Sequence, residues 1–99
     1  MLKRVLIADD EELIREIQRM LLRKLPLEIQ EAEDGKQALE AVLQKPFDLV
    51  ITDYKMPGLN GMELIVRCRQ EYPELPFILV SGTEIENTER LDDLYFLKK

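Results

Sequence analysis

Several short apolar runs in this sequence close on residues able to do chemistry. Val5 to Ala8 leads into Asp9-Asp10, the run Phe47 to Thr52 leads into Asp53, and Phe77 to Val80 leads into Ser81, while Lys98-Lys99 ends the sequence. If those runs are neighbouring strands, three carboxylates, a hydroxyl and an amine converge on one rim. Carboxylates crowded into one crevice repel one another and destabilise the fold unless a cation or protons neutralise them. The chain has no histidine and a single cysteine. Its hard oxygen donors therefore argue for Mg²⁺ or Mn²⁺ over zinc or copper. Mg²⁺ keeps several waters and prefers to share a phosphate. A phosphoryl group held there needs positive charge and a hydroxyl on its far side, which Lys99 and Ser81 could supply. Taken singly, each acid has a plainer reading: with 20 acidic residues in 99, Asp9-Asp10-Glu11-Glu12 also suits a helix N-cap followed by acids that favour the helix dipole. The joint arrangement is what points to a site.

The elements that must position these residues follow from changes in hydrophobic period. The runs at Val5, Phe47 and Phe77 are nearly all apolar, as strands buried on both faces require. Leu27 and Ile29 alternate with Glu28 and Gln30, the pattern of an edge strand with one wetter face. A fifth strand is predicted at Tyr95 to Lys98. Between the strands, Leu13, Ile14, Ile17, Met20, Leu21 and Leu25 recur at helical steps up to Pro26, and Ala38, Leu39, Val42 and Leu43 do so between Gly35 and Pro46. Met62, Ile65, Cys68 and Tyr72 form a third such face between Gly61 and Pro73, which also makes Cys68 a small core residue. Glu84 to Leu94 is polar and gives only a weak helical signal. Strands alternating with helices imply parallel pairing through right-handed crossovers, hence a doubly wound α/β sheet, with function expected at the carboxyl ends of the strands.

Length and composition bound the rest. Ninety-nine residues, 45% apolar and 34% charged, predict one globular unit, too short for a catalytic domain plus a separate output domain. No membrane span or signal-peptide pattern is present, which predicts a cytoplasmic location. The net charge of −6 opposes direct contact with nucleic acid or an anionic membrane.

The elements Leu6-Ile7-Ala8-Asp9-Asp10-Glu11, Asp48-Leu49-Val50-Ile51-Thr52-Asp53-Tyr54-Lys55-Met56-Pro57-Gly58-Leu59-Asn60-Gly61, Ile78-Leu79-Val80-Ser81-Gly82 and Phe96-Leu97-Lys98-Lys99 closely resemble the receiver domains of two-component response regulators. The resemblance covers essentially the whole chain. It implies a flavodoxin-like, five-stranded parallel sheet in the order 2-1-3-4-5. It further implies that Asp53 is the phosphoacceptor, attacking a phosphohistidine on a sensor histidine kinase or phosphotransfer protein. Asp10 would bind Mg²⁺ directly, Asp9 mostly through water, and the backbone carbonyl of Lys55 would complete the protein ligands alongside Asp53. Ser81 would hydrogen-bond a phosphoryl oxygen, and Lys99, or Lys98 in its place, would pair with another. Ser81 drawn inward would free space into which an aromatic of the fifth strand, Phe96, could swing. Gly82 would leave room for that motion, and Lys55 and Thr83 occupy positions that tune access of hydrolytic water in the family, although solvated loop residues explain them equally well. The implied role is regulatory: the domain catalyses only its own phosphotransfer and dephosphorylation.

One feature departs from the family pattern. Receivers usually continue past the fifth-strand lysine into a proline and a final helix, whereas this sequence stops at Lys99. The expectation is a single receiver domain over residues 1–99, truncated at its C-terminal helix, with apolar sheet surface exposed and a homodimer through that bare face as one way to cover it. Three other readings compete with this one. A phosphohydrolase of the haloacid dehalogenase type needs a second acid two residues after its nucleophile, where this chain has Lys55. A flavin-binding module needs phosphate donors in the first loop, where Asp9 to Glu12 would repel a phosphate. The third keeps the fold without the chemistry, as a phosphorylation-independent interaction domain.

Overall fold

The computed structural model describes residues 2–81 and the backbone of residues 94–98. Strand β1 (Lys3–Ala8) leads into helix α1 (Glu12–Leu22), β2 (Leu27–Ala32) into α2 (Gly35–Gln44), and β3 (Leu49–Asp53) into α3 (Gly61–Glu71). Strands β4 (Phe77–Ser81) and β5 (Leu94–Lys98) complete one five-stranded sheet, in the order β2-β1-β3-β4-β5. Every pairing is parallel. The doubly wound order expected from the sequence is therefore the one observed, with the alternating strand β2 at one edge. Most of the weak helical signal over residues 84–94 lies outside the described residues; its last residue, Leu94, opens β5.

The nearly continuous apolar runs are strands because both faces of the sheet are covered. Leu6 and Ala8 of β1, Val50 of β3 and Phe77 and Leu79 of β4 face a core shared with Ala38, Ala41 and Val42 of α2 and Leu64, Ile65 and Cys68 of α3. Alternate residues Val5, Ile51 and Val80 form a smaller cluster on the opposite face, with Leu22 of α1 packed against it. The two-residue period of a strand divides the same run between the two layers.

Helix α1 departs from the sequence expectation. Its apolar stripe was expected to face the sheet, yet Leu13, Ile17, Met20 and Leu21 are exposed, Leu21 by 75%. The helix instead turns Arg15 inward, and that side chain is only 7% exposed. An exposed apolar sheet surface was also expected; among the described residues Val5, Ile7, Ile51 and Val80 of the sheet are buried, while the exposed large apolar side chains include four on α1, Leu43 on α2 and Val66 on α3. Leu22 of α1, with Leu27, Leu49 and Ile78, packs against the cluster of Val5, Ile51 and Val80. Arg15 and Leu22, seven residues apart, share the inward face of α1, which leaves Leu13, Ile17 and Met20 outward.

Candidate functional site

Register brings the predicted residues together. Ala8 is paired with Thr52, Asp53 with Val80, and Ser81 with Lys98. Asp9 and Asp53 are thus level at the carboxyl ends of β1 and β3, and Ser81 lies one residue beyond the partner of Asp53. Carboxylate oxygens of Asp9, Asp10 and Asp53 all lie within 4.8 Å of one another. Asp9 and Asp53 are buried and Asp10 is exposed, so the cluster has an inner wall and an open side. Ser81 is buried at its end of β4.

The N-cap of α1 is Glu11, whose side chain makes no capping hydrogen bond. Asp9 does engage the turn, its Oδ1 accepting from the Glu11 N–H at 2.9 Å. The carboxylate of Asp10 is left facing the cluster rather than serving as the cap.

The loop after β3 is held by a turn, a helix cap and backbone hydrogen bonds. Gly58 has φ 78°, a left-handed conformation that glycine adopts without a steric penalty. Asn60 and Glu63 form a reciprocal capping box at the start of α3, with Asn60 Oδ1 accepting from Glu63 N–H at 2.9 Å and Glu63 Oε1 accepting from Asn60 N–H at 3.1 Å. Gly61 N–H donates to the Tyr54 carbonyl at 2.8 Å. Beneath the loop, the buried Thr52 hydroxyl donates to the Asp53 carbonyl at 3.0 Å and lies 3.9 Å from the Met56 sulfur. A shallow depression lined by Asp10, Tyr54, Lys55, Met56, Pro57 and Asn60 opens beside the carboxylates. Lys55 lines this depression together with Asp10. The donor set is of hard carboxylate oxygens at a spacing that a small divalent cation can bridge, and it fits Mg²⁺.

Other predicted residues fall differently. Lys98 ends β5 opposite Ser81, and Phe96 is opposite Leu79, both known here by backbone position. Gly82, Thr83 and Lys99 lie outside the described residues. Arg15 and Glu31 were not singled out from the sequence. Arg15 Nη1 donates to the Asp9 carbonyl at 2.7 Å and its Nε to Glu31 Oε1 at 3.2 Å. The available signal was a basic residue on the first helix just past the acidic pair, but the apolar stripe beside it argued for the opposite orientation.

Comparison with known proteins agrees with this geometry. The family described as the response regulator receiver domain matches residues 5–92. The response regulator GtcR of Aneurinibacillus migulanus is 46% identical over 82 residues, covering 83% of this chain and 34% of that protein. Chemotaxis protein CheY-3 of Vibrio cholerae is 38% identical over 82 residues, covering 80% of this chain and 63% of that protein. The chain thus spans about a third of the first relative and under two thirds of the second. Among solved structures, the response regulator TrrA of Thermotoga maritima, crystallised in complex with Mg²⁺-BeF, superposes with a TM-score of 0.87 at 33% identity, over 99% of this chain and 88% of that one. With strand order, carboxylate cluster and sequence match in agreement, this chain belongs to the response regulator receiver domain family of two-component systems.

Proposed function

We propose that this domain accepts a phosphoryl group on Asp53 from the phosphohistidine of a sensor histidine kinase or a phosphotransfer protein, with Mg²⁺ bound at the carboxylate cluster. The observation that carries the reading is the approach of three carboxylates from two strand ends to within 4.8 Å of one another. Such crowding is unfavourable without a counter-charge. Asp10, Asp9, Asp53 and the carbonyl of Lys55 would hold the ion, whose chemistry is to offset negative charge on a phosphoryl group in transit.

The residues of the chain supply positioning. An Asp53 oxygen attacks phosphorus as the phosphorus–nitrogen bond to the donor imidazole breaks, and the imidazole leaves with the electron pair and takes up a proton. Burial of Asp53 on β3, with its backbone paired to β4, keeps that oxygen in a fixed direction, as an in-line displacement requires. Ser81, buried one residue past the partner of Asp53, would donate to a phosphoryl oxygen, and Lys99, with Lys98 as the alternative, would pair with another. Phe96 is the proposed aromatic that responds to inward movement of Ser81.

In this reading residues 1–99 act as one receiver unit, a cytoplasmic phosphoprotein that regulates and does not turn over other substrates. Among the described residues no helix is long and apolar enough to cross a membrane. The test is incubation with Mg²⁺ and acetyl phosphate followed by intact-mass analysis. Wild type gains one phosphoryl group only when Mg²⁺ is present, and Asp53→Asn gains none. Equal labelling of both proteins moves the acceptor elsewhere, and labelling of neither leaves a phosphorylation-independent interaction domain.

A further inference from the structure

Arg15 is the only buried basic residue among those described. An inward guanidinium is costly unless its donors are used, and here they reach two different elements. Nη1 donates to the carbonyl oxygen of Asp9 at 2.7 Å, and Nε to Glu31 Oε1 at 3.2 Å. The second Glu31 oxygen accepts from Arg19 Nη1 at 2.6 Å. Glu31, near the end of β2, is thereby clamped between two arginines of α1 and braces the first of them.

The contact to Asp9 has a specific geometric effect. The Asp9 N–H donates to the Ala32 carbonyl at 3.1 Å, and Asp9 Oδ1 accepts from Glu11 N–H at 2.9 Å. The carbonyl of Asp9 belongs to the peptide group joining Asp9 to Asp10, and Arg15 is the side chain that fixes it. A planar peptide turns as a unit about its flanking dihedrals, so holding that oxygen fixes the direction in which Asp10 leaves the strand end. Asp10 is the exposed member of the carboxylate cluster, the one with fewest packing constraints on where it points.

We infer that Arg15 is a positioning residue for the cation site: it locks the Asp9–Asp10 peptide so that the Asp10 carboxylate is presented toward Asp9 and Asp53, and Glu31 braces it. This rests on the proposed Mg²⁺ site. Groups that orient ligands from behind carry a large share of metal affinity, and their loss typically weakens binding about 10-fold to 100-fold.

The experiment measures Mn²⁺ binding to the full chain at low temperature from the electron paramagnetic resonance signal of the free ion, with Mg²⁺ competition, and checks folding by circular dichroism. Arg15→Gln is expected to weaken Mn²⁺ affinity about tenfold while remaining folded. Arg19→Gln, which removes an exposed contact to Glu31 and none to Asp9, is expected to change it by less than about twofold. If Arg15→Gln does not fold, Arg15→Lys serves instead: its ammonium ends short of the position of Nη1 and lacks the fork, so affinity should still fall. Wild-type affinity in the folded Arg15 variant, or an equal loss in Arg19→Gln, would overturn the inference and leave the metal site standing. Absence of Mn²⁺ and Mg²⁺ binding by wild type would overturn the metal site, and this inference with it.

Discussion

A β-carbon placed on Gly61 would lie 2.6 Å from the carbonyl oxygen of Asp53, so the first residue of α3 meets the last residue of β3 through bare backbone. The same added carbon would lie 2.6 Å from a methyl of Leu79. The close approach fixes the helix against the strand end that carries the proposed phosphoacceptor.

Gly61→Ala should therefore destabilise the domain by about 1–3 kcal/mol through overpacking. Urea unfolding checks the magnitude. Because backbone beside Asp53 must shift to admit the methyl group, phosphorylation by acetyl phosphate should slow under conditions where the variant is fully folded.

Mutual repulsion within the carboxylate cluster predicts a gain in stability when a charge is removed. In EDTA, Asp10→Asn and Asp53→Asn should each melt a few degrees higher than wild type. Mg²⁺ should raise the melting temperature of wild type and have much less effect on either variant, because a ligand stabilises only through the state that binds it. Thermal melts with and without Mg²⁺ read both effects; lower melting of the variants in EDTA would contradict the crowding argument.

The orientation of α1 leaves Leu21 on the surface, whereas Leu64 of α3 is in the core. Leu21→Ala, at a position 75% exposed, should change stability by no more than about 0.5 kcal/mol. Leu64→Ala, at a fully buried position of α3, should cost about 2–5 kcal/mol. Comparable losses at the two sites in urea titrations would show that the α1 stripe is covered in solution.

Burial pushes the Cys68 thiol up to about 12 from its ordinary 9.0. A thiol whose folded-state pKa lies above the unfolded one favours folding while it stays protonated. Its contribution is present below about pH 9 and is lost as pH rises toward 12. Native protein should resist iodoacetamide at mildly alkaline pH and react only after unfolding in urea. Rapid alkylation of the native domain would show that Cys68 is accessible.

How much of this was legible beforehand depended on which forces act locally. The strands were readable because a run buried on both faces must be apolar throughout, as at Leu6, Val50 and Leu79. The loop after Asp53 was readable only through the family-like run Met56 to Gly61, while the left-handed Gly58 and the Asn60–Glu63 capping box came from the structure. Helix α1 misled: Leu13, Ile17 and Leu21 have the spacing of a core face, yet a buried Arg15 bonded to Asp9 and Glu31 sets the rotation of the helix.

By itself, the sequence determined the order of elements, the parallel sheet and the acids that close its strands, because propensity, period and turn chemistry are properties of neighbouring residues. The tertiary structure decided the register that levels Asp9 with Asp53, the approach of three carboxylates and the clasp of Arg15 on the Asp9 carbonyl. Those relationships join residues on different elements, and their energies exist only once the elements have packed.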